Sequence, residues 1–177
     1  MKIISIKFLS ILMLLNFTSS VFTQNKTKNE IKRFALQKFP EALTNLKSFL
    51  EIPNDGNFPE EIDNNLKWCK NIFNSLNFEV KLIKTPGAPL LFAEKKTNKK
   101  AKTILFYLQI DGQPVDIKVW DQKNPFKPVF KKKIGLNKWK TVKYSPVNDG
   151  FKPELRIFGR SASDSKGFYF SIRNFKR

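Results

Sequence analysis

Residues 103–116 read TILFYLQIDGQPVD, and the first part of that stretch, TILFYLQ, decides the fold reading. It is nearly continuous in apolar, branched and aromatic residues, the pattern of a strand covered on both faces. Upstream of it, residues 78–84 and 90–94 have similar strand character and are separated by Pro86-Gly87. Before them, Pro59 with Glu60 and Glu61 marks a helix start, where acidic side chains complement the helix dipole. Ile62, Leu66, Cys69, Phe73 and Leu76 then recur at helical spacing and form one apolar stripe. Cys69 lies on that stripe and reads as a small buried hydrophobe rather than a reactive thiol. Further upstream, residues 26–51 also carry helical spacing. Pro40 lacks an amide proton and constrains its neighbour, so two helical pieces are expected there. Helices before and beside a doubly covered strand predict an α/β layered domain, with helices packed on a mixed, largely parallel sheet.

The lysine-rich text KKTNKKAK, residues 95–102, reads as a solvated hairpin between two strands. Past Asp111 the chain turns proline-rich. Two short strands, residues 129–133 and 139–144, flank Gly135-Leu136-Asn137 as a hairpin. A last strand, residues 155–158, follows the turn Asn148-Asp149-Gly150.

Composition excludes several chemistries. The 177 residues contain no histidine and one cysteine. That removes Ser-His-Asp triads, Cys-His dyads, HExxH zinc sites, CxxC zinc sites and any internal disulfide. With 41% hydrophobic residues and 18 Phe, the chain has enough apolar surface for a core. Residues 1–23 place Lys2 and Lys7 before an apolar run over 8–15 and small polar residues after it. This is the layout of a secretory signal peptide, and the run is too short to span a bilayer as a helix. Val21 and Thr23 fit the cleavage positions. The expected location is secreted or periplasmic, with no transmembrane anchor. The segment carries two lysines and no acid, so the net charge of +18 belongs mainly to the remainder of the chain.

Two polar clusters stand at the ends of apolar strands: YLQIDGQPVD at 107–116 and RIFGRSASDSKG at 156–167. Ligands of α/β sheets bind outside the carboxyl ends of strands, so Asp111 and Asp164 are candidate site residues; the plainer reading by position makes both loop caps, Asp111 in a turn with Gly112 and Asp164 as a helix N-cap. The wording of the two clusters resembles the aminoacylase/carnosinase-type zinc peptidases, peptidase family M-twenty. In that family a strand ends in His-x-Asp, often continued as Asp-x-Gln-Pro-Val-Asp, and a later Gly-Arg-x-x-x-Asp-x-Lys-Gly follows. Trp120 and Asn124-Pro125-Phe126-Lys127-Pro128-Val129 resemble the family's Trp…Pro-Phe-x-Pro stretch.

The resemblance implies a fold, a cofactor and a reaction. The fold would be the N-terminal part of a three-layer α/β catalytic domain over residues 24–167, with an inserted β-hairpin region. The cofactor would be two zinc ions, and the reaction hydrolysis of a peptide or N-acyl amino acid by metal-activated water. Asp164 matches the carboxylate that bridges the metals. Asp111 matches the carboxylate that orients a ligand histidine. Gln109 stands where that histidine belongs, and a neutral amide is a poor zinc ligand. Ser165 stands where many relatives carry a second acid. The family's Glu-Glu pair, with its general base, its later ligands and its lid domain have no counterpart in the tail, residues 168–177. The expectation is therefore a truncated, inactive relative of a secreted zinc dipeptidase that does not hold zinc stably. The alternatives are a pseudoenzyme that binds a peptide or an active paralogue, and a basic exported protein. The last would use Lys95, Lys96, Lys99, Lys100 and residues 131–133 against an anionic polymer or membrane surface. No specific nucleic-acid motif is present.

Overall fold

The computed structural model describes residues 3–168, with side chains placed over 27–167. Among the described residues it has three α-helices and two small antiparallel sheets. The helices are α1 (Ile3–Leu50), α2 (Pro59–Ser75) and the single turn α3 (Pro146–Asp149). The chain divides into two compact units, Met1–Lys38 and Phe39–Arg177. The described part of the first unit is helical throughout and belongs to α1. The signal-peptide expectation for residues 1–23 falls on side chains outside the described residues, and the tail beyond Phe168 lies outside them too.

In the second unit, β1 (Glu79–Ile83) and β2 (Leu90–Glu94) form one hairpin, with Val80 opposite Ala93 and Leu82 opposite Leu91. β3 (Val129–Gly135) is the centre of the other sheet. It pairs with β4 (Lys138–Val142) on one side and β5 (Leu155–Phe158) on the other. Asn137, at φ 57°, closes the β3–β4 turn in the left-handed region that asparagine tolerates.

The end of α1 joins two cores. Leu43, Leu46 and Leu50 pack with Phe130, and around them lie Phe39, Val142, Tyr144 and Ile157. Phe49 instead packs with Cys69 and Phe73 of α2, and then with Val80, Leu91 and Ala93 of the β1–β2 hairpin. Phe49 also stacks on Trp68, with ring centroids 4.1 Å apart. Adjacent residues point to different sides of a helix, so Phe49 and Leu50 serve the two clusters separately. Both are fully buried. Each contributes roughly 1.5–3 kcal/mol of transfer free energy. Cys69 is equally buried, as its place on the α2 stripe predicts.

Several sequence expectations are corrected. There is no mostly parallel sheet with helices layered on it among the described residues, and so no three-layer α/β domain: both sheets are antiparallel. The one parallel contact there is an isolated bridge between Asp55 and Gly112. Residues 103–109 belong to neither sheet. Ile104, Leu105 and Tyr107 are 71%, 83% and 87% exposed, the opposite of a doubly covered strand. A continuous apolar run says that burial is favourable but names no partner. Parallel pairing needs long crossovers, whereas β1 with β2 and β3 with β4 each close a short loop at lower entropy cost. For the same reason residues 95–102 are a connecting loop and not a hairpin. Pro40 does not divide α1, which continues through it to Leu50. The helix tolerates the missing hydrogen bond because the burial of Leu43, Leu46, Phe49 and Leu50 outweighs a local cost of about 3 kcal/mol.

Candidate functional site

The loop after α1 carries the central residue of the site. Asn65 of α2 donates from Nδ2 to the Pro53 carbonyl at 2.6 Å, which ties the loop to the helix. Asn54 follows and is 1% exposed. Its Nδ2 donates to the Ile110 carbonyl at 2.7 Å and to Ser161 Oγ at 3.0 Å, and Ser161 Oγ donates back to Oδ1 at 3.2 Å. The backbone adds two bonds: the Gly112 amide donates to the Asn54 carbonyl at 2.6 Å, and the Gly56 amide to the Gly112 carbonyl at 3.2 Å. One buried amide thus joins three segments far apart in the sequence.

Gly112 sits at the closest approach. A Cβ there would lie 2.9 Å from Arg160 Nη2 and 3.0 Å from both Asn54 Nδ2 and Ser161 Oγ. Arg160 reaches across the same junction. Nε and Nη2 donate to the Gln113 carbonyl at 3.2 and 3.1 Å, and Nη1 pairs with Asp164 Oδ2 at 2.8 Å. Its amide donates to the Pro125 carbonyl at 2.8 Å, and Pro128 packs against Gly159. The proline stretch therefore braces the segment that holds the guanidinium.

Ser161 adopts φ 65° while almost fully buried, so its turn stores local strain that the Asn54 contacts hold in place. Asp164 accepts from Arg160 and from the Ser165 amide, the latter at 2.7 Å. Partial burial pushes its carboxyl up, but the two hydrogen bonds and the Arg160 charge outweigh this, leaving the pKa below its ordinary value.

Lys166 is fully buried. Its Nζ donates to the carbonyls of Phe49 and Ile52 at 2.8 and 2.5 Å and lies 4.5 Å from the centre of the Phe49 ring. The Phe49 carbonyl lies in the last turn of α1, where it also accepts the Ile52 amide at 3.3 Å, and the Ile52 carbonyl lies in the loop that follows, so Lys166 ties the helix end to that loop. Burial brings its pKa down to about 7, against the pull of Cys69 and Glu61 nearby. Gly167 follows because a Cβ there would run into the Ala162 carbonyl.

The two clusters read from the sequence thus meet, 110–113 against 160–165. The individual residues fare differently. Gln109 is exposed. Asp111 is exposed beside Gly56, where an added Cβ would lie 3.6 Å from the Asp111 Cβ. Asp164 faces Arg160. These residues do not fit a pair of zinc ions. The carboxylate that would bridge them already carries a guanidinium counter-ion, and Gln109 is neutral. Among the described residues no three His, Cys, Asp or Glu side chains gather to hold a metal. Sequence reasoning does not single out Asn54 or Ser161. Arg160 and Lys166 stand inside the quoted motif with no role assigned there; two cations against one acid are the available signal. Comparison with known proteins finds no matching family model, curated protein or solved structure.

Proposed function

We propose that this chain is a non-catalytic relative of exported zinc dipeptidases and aminoacylases, in which the two motif segments form a structural clasp. What supports the reading is one observation. The segments 107–116 and 156–167 are hydrogen-bonded together, directly through Arg160 on the Gln113 carbonyl and through Asn54, which bonds both Ile110 and Ser161. The kinship is one of segments and their junction, and it includes no parallel sheet. Peptide or acyl-amino-acid substrates belong to the resemblance; in this chain Asp164 acts as the partner of Arg160. The donor set lacks the imidazole, and activating water for hydrolysis needs about three ligands per metal and a base.

The test is zinc titration by calorimetry, with dipeptide and N-acyl amino-acid hydrolysis measured in parallel. The expected result is no turnover and negligible zinc affinity, with a gain in affinity for Gln109→His. Turnover by the unaltered chain would refute the reading. Unchanged zinc affinity in Gln109→His would count against the kinship.

A further inference from the structure

The β3–β4 hairpin outruns its own sheet. β5 pairs with β3 only over residues 129–132, whereas β3 and β4 stay paired out to Gly135 opposite Lys138. Beyond Lys132 the hairpin is a two-stranded projection, a form that is marginal in water without something to cover it. Its end is apolar: Ile134 is 61% exposed and Leu136, in the turn, 87%. Behind the tip comes a ring of lysines. Lys132 stands directly opposite Lys140, Lys133 opposite Trp139, and Lys138 opposite Gly135.

Like charges directly opposite each other destabilise a strand pair, and residues 129–143 contain no acid to offset them. Among the described residues no carboxylate pairs with Lys132, Lys133, Lys138 or Lys140. Lys131 differs. It is nearly buried, lies 3.7 Å from Asp121 and sits over the Phe158 ring, so it belongs to the sheet's own packing. Trp139 rests at the boundary, half in contact with Phe158 and 37% exposed.

We propose that this hairpin docks on an anionic lipid surface. The tip places Ile134 and Leu136 among the acyl chains, and the four lysines take the headgroup charge. Trp139 stands level with Lys133, at the depth of the headgroups. A soluble polyanion would use the lysines and leave the apolar tip in water. A bilayer with acidic headgroups uses both, in the order in which the hairpin presents them.

The experiment is co-sedimentation of the full chain with vesicles of phosphatidylcholine alone and of phosphatidylcholine mixed with phosphatidylglycerol. Tryptophan quenching by brominated lipid is followed in the same samples. The expected result is binding to the mixed vesicles with little on the neutral ones. Ile134→Ser/Leu136→Ser should weaken it more than about tenfold. Lys133→Gln/Lys138→Gln/Lys140→Gln should weaken it about a hundredfold, at roughly fivefold per lysine. Trp139→Phe should remove most of the quenching. The apolar residues 8–15 are intact in every variant, so binding that survives the tip and lysine substitutions would overturn the proposal. Equal binding of the unaltered chain to both vesicle types overturns it without any variant. Retention on heparin that is indifferent to Leu136, with no vesicle binding, assigns the lysines to a soluble polyanion and overturns it as well.

Discussion

Replacing Asn54 by alanine tests the clasp at its centre. The substitution removes the hydrogen bonds to the Ile110 carbonyl and to and from the Ser161 hydroxyl, at 2.7, 3.0 and 3.2 Å. Each bond is worth about 0.5–1.5 kcal/mol net, and each polar group left buried without a partner costs a further ~1–3 kcal/mol. Water entering the space left by the amide recovers part of this for the Ser161 hydroxyl. The expected loss is therefore about 3 kcal/mol. For a protein of this size that lowers Tm by roughly 6–12 °C. Urea unfolding followed by circular dichroism measures it directly, with the denaturant slope unchanged if the compactness of the two states is unchanged. Ser161→Ala provides the second edge of a double-mutant cycle. The two residues share their hydrogen bonds, so the double variant should fall short of the sum by about 1 kcal/mol or more. A loss below about 1 kcal/mol for Asn54→Ala, or strict additivity with Ser161→Ala, would refute the claim that this amide joins the segments.

Three further outcomes are expected. Lys166 releases its proton near pH 7 in the folded chain and near its ordinary 10.5 when unfolded, so the unfolded state binds more protons between those values. Stability should therefore rise with pH across that window relative to Lys166→Met, and a difference between the two proteins that stays constant with pH would contradict the assignment. Gly112→Ala should cost about 1–3 kcal/mol, because its methyl meets Asn54, Arg160 and Ser161 at about 3 Å. Gly56→Ala, with its nearest atom at 3.6 Å, should be close to neutral, and equal losses in the two variants would contradict the packing described. Residues 104–107 combine exposure, high strand propensity and no charge, so Leu105→Lys should raise the concentration at which the chain aggregates; unchanged light scattering would exonerate the segment.

Much of the local structure is legible in the sequence. The α2 stripe from Ile62 to Leu76 implies a helix with Cys69 inside, and the position of Pro59 locates its start. Residues 90–94 and 155–158 form strands with the bounds their composition suggests, and Gly135-Leu136-Asn137 is the hairpin connection. These readings succeed because periodicity, proline and turn residues act within a few positions of one another. Pro40 misleads because a local rule meets a stronger non-local term: a helix one hydrogen bond short persists when its next turns bury Leu43, Leu46, Phe49 and Leu50.

The sequence by itself determined the helix over α2 and its apolar face, the strand character of β1 to β5, and that imidazole chemistry is excluded. The tertiary structure alone decided how those segments pair. An apolar run such as TILFYLQ carries no record of its neighbour, and here it joins no sheet. The roles of the polar residues were decided the same way. By position Asp164 reads as a loop cap and by resemblance as a metal ligand; in the folded chain it pairs with Arg160, 2.8 Å away. Asn54, unremarkable in a turn-forming loop, becomes the centre of the junction only because Ile110 and Ser161 fold against it. Sequence spacing limits what a side chain can reach locally; the long-range partner that satisfies a buried polar group is set by the packing of the whole unit.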